Sequence, residues 1–418
     1  MARDADRLVK RFNPWLLVAL LWVVAVLNYV DRQAIFSVFP LLEAEMNVSA
    51  VQLGLLTTVF AWVYGLVSPF AGYVADRFGR VRMILLSLLV WSAVTWLTGH
   101  ARNMGELLGS RALMGISEAC YIPAALALIA DYHRDRSRSL ATGLHQSGLY
   151  IGIVIGGAAG GWLGERFGWR FAFSLMGVIG IAYFVILKLV LRGTERLKDR
   201  PQPSPIGPTI RELWRLPGFR QLAAVFSTVA LANWIAYTWL PLYLYETFGM
   251  SLAAAGFAAT FYMQVGSFAG ILVGGGLADF WAARSRRGRL FTQITGILLM
   301  APFLFSVGFV RAQVFLLVAL FIFGLGRGLY DCNTMPTLCD IARPEIRSTG
   351  YGVFNLMSCL AGGAASAAAG YLKSAIGLSG SFEIAAGLLL LSSILLFKTP
   401  SAVNAGAEHP LLRVSPKQ

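Results

Sequence analysis

Twelve stretches of this chain are too long and too apolar for a water-soluble fold: 14–38, 50–75, 81–99, 105–131, 139–164, 168–191, 219–245, 251–280, 290–309, 312–340, 347–372 and 378–398. Crossing about 30 Å of hydrocarbon takes roughly 20 mostly apolar residues as an α-helix. A backbone in lipid must also satisfy its own hydrogen bonds, which leaves helices or closed barrels. Runs of this length fit only helices. Charge is correspondingly scarce: 13% of residues are charged and 57% hydrophobic, against about 25% charged in a soluble domain. The expected fold class is an all-α membrane protein with twelve transmembrane helices.

The formal net charge of +14 invites a nucleic-acid reading, and the placement of the charges rejects it. With the N-terminus in the cytoplasm and sides alternating, 26 of the 35 Lys and Arg fall in cytoplasmic segments. Outer loops hold five (Arg102, Arg166, Arg170, Arg311, Lys373), and four lie within spans (Arg32, Arg111, Lys188, Arg327). That asymmetry is the positive-inside rule. It predicts a multi-pass protein of a bacterial inner membrane with both termini cytoplasmic. The first apolar run is no cleaved signal peptide, being too long, interrupted by Asp31 and followed by no small-x-small site. All four cysteines sit in apolar spans, without the spacing of a disulfide framework or a zinc site.

The stretch 192–220 is rich in proline and charge and reads as a cytoplasmic linker. It divides the spans six and six: a bundle over 1–191, a linker over 192–218, a second bundle over 219–400 and a tail over 401–418. The halves echo one another. "GYVADRFGRVR" (72–82) and "GGLADFWAARSRRGR" (275–289) both read Gly-x-x-Ala-Asp followed by a basic turn. "GISEACYIP" (115–123) aligns without gaps to "GLYDCNTMP" (328–336), pairing Gly115 with Gly328, Glu118 with Asp331 and Pro123 with Pro336. Parallel repeats flanking a binding site are a recurrent transporter architecture.

The turn Asp76-Arg77-Phe78-Gly79-Arg80, its degenerate partner at Asp279 and the six-plus-six layout resemble the major facilitator superfamily over essentially the whole chain. Within it, "NYVDR" (28–32), "EACYIP" (118–123) and "IADYHRDRSRSLATG" (129–143) resemble two neighbouring groups. These are the anion:cation symporters of sugar acids and other organic anions, and the spinster-like lysolipid transporters. The resemblance implies two pseudo-symmetric six-helix bundles that move by alternating access, with no enzymatic activity.

Three acids lie inside the spans away from their cytoplasmic ends: Asp31, Glu118 and Asp331, with Arg32, Arg111 and Arg327 near them in sequence. A charge at mid-bilayer costs roughly 2.5–3.5 kcal/mol on insertion scales, so such residues face a wet cavity or one another. Asp31 and Glu118 are the candidate proton carriers, with Arg111 as a switchable partner for Asp31. The rival reading is a static salt-bridge cluster that pins helices together. Arg32 is the candidate grip on an anionic substrate, since its planar fork matches a carboxylate; it could equally neutralise Asp31 or Glu118. The resemblance to organic-anion symporters implies the substrate role. Asn28, Tyr29, Tyr121, His145, Asn233 and Tyr237 complete the candidate substrate contacts, with Asp331 and Arg327, which are spaced to pair along one helix face.

At the cytoplasmic side, Asp76, Arg77, Gly79, Arg80, Asp131, Arg138 and Asp279 are candidate gating residues. Asp131 has two possible partners, Arg138 or the turn after the second span. Glycines 148, 152, 156, 160 and 164 form an i+4 ladder along the fifth span, predicted to pack against the eighth. No Walker sequence, metal cluster or nucleophile–base signature is present, so nothing here is expected to hydrolyse ATP; the intramembrane acids and the resemblance imply a proton gradient as the energy source, with no cofactor. The reading reached from sequence is a monomeric proton-coupled symporter of a small organic anion. The alternatives are a proton-driven lysolipid carrier and a transport-inactive membrane sensor.

Overall fold

The computed structural model describes residues 13–133, 137–191, 206–285, 287–343 and 346–399. The tail over 401–418, most of the linker and the side chain of Asp76 lie outside the described residues. Fifteen helices are present among those described. They are α1 (Pro14–Ser37), α2 (Phe39–Met46), α3 (Ala50–Phe78), α4 (Arg80–Thr98), α5 (Met104–Ala119), α6 (Tyr121–Tyr132), α7 (Arg138–Phe167) and α8 (Trp169–Val190), then α9 (Ile206–Arg215), α10 (Phe219–Phe248), α11 (Leu252–Ala282), α12 (Gly288–Val307), α13 (Gln313–Asp331), α14 (Thr334–Ile341) and α15 (Arg347–Phe397).

Local chemistry sets the ends of these helices. Asn13 caps α1 by accepting from the Trp15 amide at 2.9 Å, and Pro14 follows at the first position, where a missing N–H costs nothing. Asn103 caps α5 by accepting from the Glu106 amide at 3.0 Å, while Glu106 accepts from the Arg102 amide at 2.8 Å. Gly79, between α3 and α4, holds φ 94°. Only glycine enters that region cheaply, which is why the turn between the second and third spans contains one. α15 is 51 residues long, or about 76 Å at 1.5 Å per residue, far beyond one bilayer. Gly377, at φ 70° and ψ 174°, breaks it into two. Eleven membrane-length segments among the described residues therefore make twelve crossings.

Two predicted spans are not continuous helices. The fourth breaks at Cys120, between α5 and α6, and the tenth breaks at Cys332 and Asn333, between α13 and α14. In each, a proline (Pro123, Pro336) three residues past the break removes a backbone donor and crowds the preceding turn. The gap-free repeat is thus a repeat of shape. Each break lies just beyond the repeated acid, two residues past Glu118 and one past Asp331.

The chain forms two compact units, Met1–Pro203 with Tyr237–Thr260, and Ser204–Ala236 with Phe261–Gln418. In the first, α1 packs along α7, α3 along α5, and α4 against α5 and α8. Its core includes Leu21, Leu88, Trp91, Tyr121, Ala125 and Leu187. In the second, α12 packs against α13 and α15, and α9 lies on α15. The linker therefore contains a helix, α9, anchored by buried Leu213 and by Glu212, which accepts twice from Arg343 at 2.8 and 2.7 Å.

The glycine ladder packs differently from the expectation. Gly148, Gly152, Gly156 and Gly160 face α1, and Gly164 meets Val38 and Leu41 just beyond it; a Cβ on Gly152 would stand 2.6 Å from the Val26 carbonyl oxygen, and one on Gly156 2.7 Å from that of Val30. The seam with α11 uses the adjacent face, where Gly157 meets Gly256 and Gly161 meets Leu252. A helix in lipid gains little hydrophobic drive from association and depends on close backbone approach. α7 is bare on two faces because it has two neighbours to approach.

Candidate functional site

Asn28, Asp31 and Arg32 stand at i, i+3 and i+4 on α1, one helix face. Opposite them α5 delivers Arg111 and Glu118, two turns apart. The Arg32 guanidinium reaches Glu118 Oε2 from Nη2 at 2.7 Å and from Nε at 3.1 Å. Three rings frame the same guanidinium: Tyr29 at 4.5 Å, Phe60 at 4.8 Å and Tyr64 at 4.9 Å from ring centre. Each aromatic face attracts a cation, so the arginine is held by one carboxylate and a box of π-systems.

The other members are deeper. Asp31 is 2% exposed and accepts from the Thr95 hydroxyl on α4 at 3.1 Å. Arg111, also 2% exposed, donates to Met114 Sδ at 3.4 Å, while its Nε and Nη2 have no hydrogen-bond partner among the described residues. It lies within electrostatic range of both Asp31 and Glu118, without a direct ion pair to either among the described residues. The second Glu118 oxygen is buried, and the Asn28 side chain lies against the same carboxylate. Two acids and two bases sum to zero when all are ionised. Glu118 is fully buried, whereas the Arg32 side chain keeps 13% of its surface open. Of the four, Arg32 keeps the most open surface.

The remaining candidates fall into three places. Tyr121 and His145 are fully buried in the core of the first unit; the Tyr121 hydroxyl donates to the Leu21 carbonyl at 2.7 Å and contacts His145 Nε2 at 2.9 Å. That geometry makes them a strut between α1, α6 and α7. Tyr237 lies on α10 within the first unit, where its carbonyl faces the Gln33 amide at 3.5 Å. Asn233, one turn earlier, belongs to the second unit and has a buried, unbonded Oδ1. In that unit Arg327 pairs with Asp331 at 3.1 Å along α13 and donates to Gln264 at 3.3 Å.

On the turn after α3, Arg80 donates to both the Ala127 carbonyl and Asp131, each at 2.5 Å. Arg138 turns to the His133 carbonyl at 3.4 Å, so the pairing of Asp131 left open by the sequence resolves towards Arg80. The second unit repeats the device with Arg289 and Asp340 at 2.5 Å. Arg77 lies over the Phe78 ring at 5.9 Å, and Asp279 is exposed at the end of α11. Sequence reasoning missed Thr95, Phe60 and Tyr64. The i, i+4 spacing of Phe60 and Tyr64 on α3 was the available signal; Thr95 offered none.

Residues 21–366 and 285–410 match the sequence profile of the Major Facilitator Superfamily. The chain belongs to this superfamily. Among curated relatives is the probable galactarate/D-glucarate transporter GarP of Escherichia coli K12, 27% identical over 395 residues and covering 86% of this chain and 88% of that protein. The D-galactonate transporter of Escherichia coli O6:H1 is 25% identical over 408 residues, covering 91% and 94%. Among solved structures, a bacterial homolog of the human lysosomal transporter Spinster, inward-facing and occupied, superposes with TM-score 0.81 at 21% identity over 97% of this chain and 100% of that one. The protein is a multi-pass membrane transporter of the superfamily and not an enzyme.

Proposed function

We propose that this superfamily member is a proton-coupled symporter that takes up a small organic anion, a sugar acid or similar carboxylate, by alternating access. The observation that carries the reading is the grip of Glu118 on Arg32 at 2.7 and 3.1 Å. A substrate carboxylate that takes the Nε–Nη2 edge of Arg32 displaces the Glu118 carboxylate. That would strand a buried, unpaired anion, which costs several kcal/mol. A proton on Glu118 removes the cost. Substrate and proton therefore favour one another's binding, which is the thermodynamic content of symport. Asp31 serves as the second proton carrier and Arg111 as its switchable partner, within electrostatic range of both acids. The names of the relatives, galactarate, D-glucarate and D-galactonate transporters, support the substrate class.

Alternating access is carried by the two six-helix halves that the linker joins, with Arg80 and Asp131 latching the cytoplasmic side. The protein works as a monomer in a bacterial inner membrane, both termini cytoplasmic, with no cofactor beyond the proton gradient. The deciding experiment is reconstitution into liposomes with labelled D-glucarate and D-galactonate outside and an inward proton gradient. Accumulation that a protonophore collapses is the expected result. A thermal shift with lysophosphatidylcholine and none with either sugar acid would replace the reading with a lysolipid carrier. Binding of a sugar acid without any flux would make the protein a sensor.

A further inference from the structure

Among the described residues the Asp31 carboxylate has one hydrogen-bond donor, the Thr95 hydroxyl at 3.1 Å. Both side chains are buried, Thr95 completely. Thr95 departs from the habit of threonines in helices, which bond back to the carbonyl four residues earlier. Thr98, on the same helix, does so, donating to the Val94 carbonyl at 2.8 Å. Thr95 instead points its hydroxyl across to α1.

Of the other groups around Asp31, only Asn28 also carries both a neutral donor and an acceptor, and it lies against the Glu118 carboxylate instead. From α5 come Arg111 and Glu118, a cation and an acid, acting through space. α1 itself adds Arg32 and Asn28, and Gly152 and Gly156 of α7 pack against this stretch of α1. An arginine has donors but no acceptor, whereas a hydroxyl has both. If Asp31 is ionised, Thr95 donates to it. If Asp31 carries a proton, that proton is donated to Thr95 Oγ1, and the threonine O–H rotates back to the carbonyl one turn earlier.

We propose that Thr95 is the positioning residue for Asp31, holding its carboxyl in one place through both protonation states by reversing the direction of a single hydrogen bond. The inference rests on the reading of Asp31 as a proton carrier. Its consequence is specific. Valine has the shape of threonine without the hydroxyl, so Thr95→Val withdraws a bond that favours the ionised form more than the neutral one.

Infrared titration of the purified protein tests this without knowledge of the substrate. The carboxylic acid C=O band that disappears in Asp31→Asn identifies the group, and its midpoint is followed in each variant. Thr95→Val is expected to move the midpoint by about one pH unit in the alkaline direction, and Thr95→Ser to leave it near the wild-type position. A midpoint unmoved in Thr95→Val, with the band present and the fold intact, overturns the role of Thr95. If Asp31→Asn removes no titrating band at all, the proton-carrier reading of Asp31 fails and takes this inference with it. Should Thr95→Val not fold, Thr95→Ala, smaller than the residue it replaces, carries the same comparison.

Discussion

At the scale of single residues, the site places one accessible cation over a buried acid. Arg32 is boxed by Tyr29, Phe60 and Tyr64 and bonded to Glu118. If it serves as the substrate anchor, Arg32→Ala weakens binding of a sugar acid at least tenfold, since a charge-assisted bond is worth about 1.5–3 kcal/mol. Binding of the matching neutral alcohol or amide changes little. Calorimetric titration with the two ligands checks it, and an equal loss for both would make Arg32 a structural ion. The acids make a second prediction. Asp31→Asn and Glu118→Gln each abolish gradient-driven accumulation yet leave exchange of substrate between equal pools, because a permanently neutral side chain allows loading but carries no proton. Liposome counterflow beside uptake separates the two, and full accumulation in both variants refutes the coupling roles. Much of this cluster was legible in the sequence, for a plain reason: charges in hydrocarbon are conspicuous and their spacing on a helix is fixed. The pairing was not. Whether Arg32 turns to Asp31 or Glu118 depends on how α1 faces α5, and Thr95 is invisible in a run of residues where a buried hydroxyl usually bonds its own helix.

At the scale of elements, glycine does the work that apolar side chains do in a soluble core. Twelve crossings could be counted from the apolar runs, and the two prolines that follow the breaks within the fourth and tenth spans stand in the repeat itself. The neighbour of the ladder was not legible, because an i+4 stripe says that a helix is approached closely and not by which partner. α7 meets α1 through Gly152, Gly156 and Gly160, and α11 through Gly157 and Gly161. A methyl at Gly156 would fall 2.7 Å from a backbone oxygen that cannot step aside. Gly156→Ala is therefore expected to lower the unfolding temperature in detergent by several degrees, corresponding to an overpacking cost of about 1–3 kcal/mol. Gly143, beside which a methyl meets nothing, is the control: Gly143→Ala should leave the unfolding temperature unchanged or slightly raised. Equal sensitivity at the two positions would dissolve the argument that the ladder is a seam. The arginine latches rank in the same way. Arg289 and Asp340 are each more than a third exposed, so breaking them costs under about 1 kcal/mol. Arg80 also binds the Ala127 carbonyl and matters more.

At the scale of the whole molecule, charge must balance over a transport cycle. The cluster of Asp31, Arg32, Arg111 and Glu118 is neutral when fully ionised, so whatever crosses with the substrate sets the charge that moves. A sugar acid with one carboxylate brings one negative charge. A proton on Glu118 alone makes the loaded carrier neutral, and a second on Asp31 makes each inward step carry one net positive charge. A negative interior then assists uptake by roughly 2.3 kcal/mol per 100 mV for each such charge, which at equilibrium is about fiftyfold in accumulation. With both acids acting as carriers, a potassium diffusion potential, negative inside and imposed at equal pH on the two sides, is expected to drive D-galactonate into liposomes. The doubly charged D-glucarate, moving with the same two protons, should respond to the proton gradient and be indifferent to the potential. The comparison isolates the second proton, because the two substrates differ in charge while the carrier stays the same. If the potential leaves D-galactonate uptake unchanged while the proton gradient drives it, only one acid is loaded per cycle, and Asp31 becomes the fixed partner of Arg111.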